Sequence, residues 1–68
     1  MDNVPVEVQR ALLQQEIQGL RNGVFMLAAR HRARTRIGDM ESLKAIEAEM
    51  ERTEALIAAF EDQLKEIA

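Results

Sequence analysis

Arg30, His31, Arg32, Arg34 and Arg36 stand in one run, RHRARTR, and are the residues of this chain whose types and spacing point most directly to chemistry. Guanidinium groups present a planar fork of donors that matches phosphate and carboxylate oxygens, so arginines crowded together suit an anionic ligand or an acidic partner. The same residues have a structural use. Cations near a helix C-terminus interact favourably with its dipole, and acids elsewhere in the chain can neutralise them. Catalysis is not expected: Ser42 is the sole serine, His31 the sole histidine, and no base is placed to activate a nucleophile. Glu47 and Glu51, like Glu51 and Glu54, fall at helical spacing but on a charged stretch that reads as a solvated face. With no cysteine and no Glu-x-x-His motif, neither a metal nor another cofactor is expected.

Charge distribution sharpens this picture. The net charge is −3, divided as −1 over residues 1–29, +4 over 30–36 and −6 over 37–68. A basic knot is followed by an acidic arm. Duplex nucleic acid is disfavoured as a target by the acidic sum and the short basic run, and the only aromatic residues that could stack on bases are Phe25 and Phe60. No apolar run approaches the roughly 20 residues needed to span a bilayer, and MDNVPVEVQR lacks the basic-then-apolar order of a secretory signal. The expected location is cytoplasmic, without a membrane role.

Helices must position these residues. Pro5 suits a helix start, good helix formers follow, and Ile37-Gly38-Asp39 reads as a stop, with Gly38 at the left-handed C′ position and Asp39 as the next N-cap. The expected organisation is one domain over 1–68, with helix 1 at about 5–36, a turn at 37–39 and helix 2 at about 40–67. Gly19 and Gly23 lie inside helix 1, where each costs roughly 0.5–1 kcal/mol relative to alanine. A break there and a continuous helix are the two alternatives. The apolar rhythm favours continuity, because Val6, Leu13, Ile17, Leu20, Val24 and Leu27 run through both glycines towards His31 and Arg34.

Helix 2 repeats the rhythm with Leu43, Ile46, Met50, Thr53, Ile57, Phe60, Leu64 and Ile67 at alternating threes and fours, a heptad seam. Folding it back across Gly38 sets Leu13 against Leu64, Ile17 against Phe60, Val24 against Thr53 and His31 against Ile46. The same register brings Arg21 near Glu54, Arg30 near Glu49, Gln14 near Glu61 and Glu16 near Gln63, and lays Leu56 over Gly23. Arg34 then occupies a seam position opposite Leu43, so either its stem snorkels to the turn or its head is used. The expected fold class is all-α, an antiparallel, coiled-coil-like two-helix hairpin.

A hairpin leaves apolar residues over. Leu12, Gly19, Met26 and Ala33 recur every seven residues on a second face of helix 1, with Val8, Phe25 and Ala29 beside them, and helix 2 carries alanines away from its seam. At 68 residues, without disulfide or metal, a lone core is marginal. Assembly into a homo-oligomeric bundle, a dimer or higher, is therefore expected through Leu12, Gly19, Phe25, Met26, Ala29 and Ala33. In size and shape alone the chain is similar to small helical hairpins of phages and mobile elements, which implies an assembly part, a regulator or an inhibitor that captures a protein or a signalling nucleotide. Two functions remain open: a non-enzymatic module docking a protein partner, and a binder of a small phosphorylated ligand such as a nucleotide, through Arg30, His31, Arg32, Arg34 and Arg36 at a subunit interface.

Overall fold

The computed structural model describes residues 3–67 and consists of two helices, α1 (Val6–Arg36) and α2 (Leu43–Ile67), packed against each other. α1 is continuous through Gly19 and Gly23. Pro5 is its N-cap rather than its first helical residue, and the Pro5 carbonyl accepts the Gln9 N–H at 2.9 Å. The molecule is a rod of 50 × 18 × 14 Å with a radius of gyration of 15.7 Å. A compact domain of this length would have about 11 Å.

The heptad seam of α2 is the face turned towards α1. Leu43 and Ile46 are buried, and Met50, Thr53, Ile57, Phe60, Leu64 and Ile67 are half-buried. On α1, Ile17 is buried, while Leu13, Leu20, Val24, Leu27 and His31 are half-buried. Thr53, the polar member of the seam, is satisfied within its own helix, because its hydroxyl donates to the Glu49 carbonyl at 2.8 Å. Ala28 and His31 share a shallow depression with Glu47 and Met50, and Val24 shares one with Glu54 and Ile57, which agrees with the register read from the heptads. Val6 departs from the expected stripe and is exposed, since in this register no described residue of α2 lies opposite it.

Three further expectations are corrected. First, α2 begins at Leu43, not near residue 40. Residues 40–42 continue the turn, with the Met40 N–H donating to the Gly38 carbonyl and the Leu43 N–H to the Met40 carbonyl. Second, Leu56 does not lie over Gly23: a Cβ built at Gly23 meets nothing within 4 Å, and Leu56 is itself exposed. Third, the flanking ion pairs are redistributed. Arg21 bonds Glu61 and Glu49 bonds Arg52 at 2.6 Å, so neither the Arg21–Glu54 nor the Arg30–Glu49 pair forms. Arg21 chooses between two acids of α2 at little energetic difference, and for Glu49 a base one turn away in its own helix outcompetes Arg30 across the seam.

Candidate functional site

The basic end of α1 is fixed by its C-terminal turn. Gly38 has φ +80°, the left-handed conformation that glycine adopts without a Cβ clash. The Asp39 N–H donates to the Arg34 carbonyl at 2.9 Å and the Gly38 N–H to the Thr35 carbonyl at 3.2 Å. These bonds define a Schellman motif, in which an apolar pair commonly joins the side chains at C3 and C″. Here the two positions are Arg34 and Asp39, and an ion pair takes that role.

Arg34 Nη1 donates to Asp39 Oδ2 at 2.7 Å and to Ser42 Oγ at 3.3 Å, and Ser42 Oγ donates to Asp39 Oδ2 at 2.8 Å. Asp39 is not the N-cap expected of it: α2 begins at Leu43, and the Ser42 carbonyl accepts the Ile46 N–H at 3.1 Å, so Ser42 holds the position before the helix. The Ser42 hydroxyl and then the Arg34 guanidinium hold Asp39 below the ordinary carboxylate pKa, because each favours the ionised form. The head of Arg34 is thus committed to the turn.

His31 lies half-buried at the seam's edge, and its Nε2 is 2.8 Å from Glu47 Oε2. An ionised carboxylate can only accept, so Nε2 carries the proton in this contact. Thr35 closes the local network by donating from its hydroxyl to the His31 carbonyl at 2.8 Å. Arg30, Arg32 and Arg36 are exposed and form no ion pair among the described residues. Arg32 and Arg36 are four residues apart on one side of α1, and Arg32 borders the depression formed by Ala28, His31, Glu47 and Met50. Arg30 projects to the other side. The five basic residues therefore do not converge within one chain: two are tied by acids of the turn and of α2, two share a side, and one stands apart.

The second candidate is the outer face of α1. Phe25 is 65% exposed, Leu12 54% and Met26 49%; Gly19 and Ala33 are exposed beside them, and Ala29 is half-buried. A Cβ built at Gly19, as at Gly23, meets nothing within 4 Å, so the hairpin itself gives neither glycine a packing role. Sequence reasoning missed the His31–Glu47 and Arg34–Asp39 pairs. The second was signalled by opposite charges at the two positions that a Schellman turn around Gly38 brings together.

No protein-family model, curated protein or solved structure matches this chain. Among the described residues no helix is long and apolar enough to cross a membrane, and no group of three His, Asp or Glu side chains is placed to hold a metal.

Proposed function

We propose that the protein is a non-enzymatic interaction module, a helical hairpin that self-associates and presents its charged ends to a protein partner. One observation carries the reading: α1 has two apolar faces, and the hairpin covers one of them. The chain exposes 5279 Å². A compact monomer of 7.7 kDa exposes about 4,300 Å². The surplus of about 950 Å² is close to the ~800 Å² that each partner contributes to a standard interface. Light scattering coupled to size exclusion tests this. A dimer or higher assembly at micromolar concentration supports it, and a stable monomer refutes it.

A second reading rests on Arg32 and Arg36, the exposed cations that share a side and have no acidic partner among the described residues. They would hold a small phosphorylated ligand, with His31 at the edge of the same depression. A nucleotide panel in a thermal-shift assay decides it, since a ligand at 100 times its Kd stabilises by about 2.7 kcal/mol. An unmoved melting temperature across the panel removes this reading.

A further inference from the structure

We propose that the occupant of the outer face of α1 is α1 of a second copy, running antiparallel about a two-fold axis at residue 24. The inference rests on the self-association proposed above and specifies its geometry. Leu12, Gly19, Met26 and Ala33 recur every seven residues, Val8 lies four residues before Leu12, and Ala29 falls three after Met26 and four before Ala33. Gln15 and Asn22 complete the alternation, so this face is a second heptad seam opposite the one that α2 covers.

Charge selects the direction. A parallel pairing sets the +4 blocks of residues 30–36 side by side, whereas the antiparallel one places their centres about 30 Å apart at 1.5 Å per residue. Charge also selects the register. Sliding the seam by one heptad towards the N-terminus from the central alignment sets Glu16 against its own copy, a like-charge contact. The central alignment sets Glu16 against Gly23 and pairs no opposite charges. Sliding one heptad the other way places Glu16 beside Arg30 of the second copy, twice by symmetry, and both are exposed without an ion-pair partner among the described residues of the hairpin.

That register also gives Phe25, Gly19, Gly23 and Ala29 partners, while Leu12 lies under the stem of Arg36 of the second copy. Phe25 meets its own copy across the axis, the offset or edge-on pairing aromatic rings favour. Gly23 meets Gly23 on the other flank and Gly19 faces Ala29, so the helices approach closely at positions where the hairpin has no use for small residues. Residues 24–29, VFMLAA, apolar all round, then lie between α2 on one side and the second α1 on the other.

Charge reversal tests the pairing. Glu16→Arg and Arg30→Glu each place two repulsive contacts in the dimer and raise its dissociation constant by about tenfold, and the double variant returns it towards wild type. Circular dichroism checks that helicity is kept. In parallel, Gly23→Cys, which the hairpin accommodates, forms a covalent dimer with a short bis-maleimide, while Leu56→Cys on α2 and Arg36→Cys at the basic end do not. A monomeric wild type overturns self-association and this geometry together. A wild-type dimer in which charge reversal is not rescued, or Arg36→Cys cross-links in preference to Gly23→Cys, overturns the geometry and leaves self-association standing.

Discussion

Alanine at the three glycines should act with opposite signs. Gly19 and Gly23 are in the interior of α1 and a Cβ at either meets nothing within 4 Å, so Gly19→Ala and Gly23→Ala exchange a poor helix former for the best one without a clash. The gain is about 0.8–1 kcal/mol each. Gly38 has equal space around it but sits at φ +80°, where an L side chain is strained whatever its surroundings, and Gly38→Ala loses about 1–2 kcal/mol. For a domain of this size 1 kcal/mol moves Tm by about 4–8 °C, so the helix substitutions raise it by that amount and the turn substitution lowers it by at least about 4 °C. Far-UV circular dichroism melts at the lowest workable concentration isolate the hairpin, because association adds least there. A fall in Tm for Gly23→Ala under those conditions would mean that something packs on Gly23 within the chain. An unchanged Tm for Gly38→Ala would refute the left-handed turn.

Other expectations follow from single contacts. Asp39→Asn removes a carboxylate whose folded pKa is lowered, so the stability it confers is complete above the ordinary value of about 3.9 and is lost as pH falls through the lowered one. The Tm difference between wild type and Asp39→Asn therefore shrinks between neutral pH and pH about 3; a constant difference contradicts the assigned contacts. Thr53→Leu fills a half-buried seam position without orphaning a partner and should raise Tm by several degrees, worth about 1 kcal/mol, whereas a fall would indicate overpacking against α1. A double-mutant cycle on Arg21 and Glu61, both exposed, should give no more than about 1 kcal/mol of coupling.

The hairpin was legible because it is written redundantly: a heptad seam in α2, a matching stripe in α1 and a glycine stop between them all require one register. Contacts outside the seam were not. Arg21 reaches Glu61 rather than Glu54, and both acids border the same depression, so backbone register alone cannot choose between them. Gly23 was read through its heptad position opposite Leu56. A heptad diagram gives which residues share a flank but not how far a side chain leans away from the partner helix, and Leu56 turns to solvent. The basic run was visible at once, yet its division between turn, α2 and solvent depended on the Schellman geometry that places Asp39 beside Arg34.

That division bears on which function the chain serves. Arg34 is spent on the turn, and in the antiparallel dimer proposed above Arg30 meets Glu16 and the stem of Arg36 falls opposite Leu12 of the second copy, which leaves Arg32 and the guanidinium end of Arg36 for an outside partner. The proposed antiparallel pairing keeps the two copies of this pair at opposite ends of the assembly, so each chain would bind its own phosphorylated ligand and a protein partner would find two equivalent basic ends. A partner engaging both gains by effective concentration rather than by new contacts. Stoichiometry therefore separates the arrangements. Calorimetric titration of any nucleotide that passes the thermal-shift panel should give one ligand per chain, and Arg32→Ala with Arg36→Ala should abolish binding while the dimer persists. One ligand per two chains would mean that the basic ends meet across an interface, which the antiparallel register forbids.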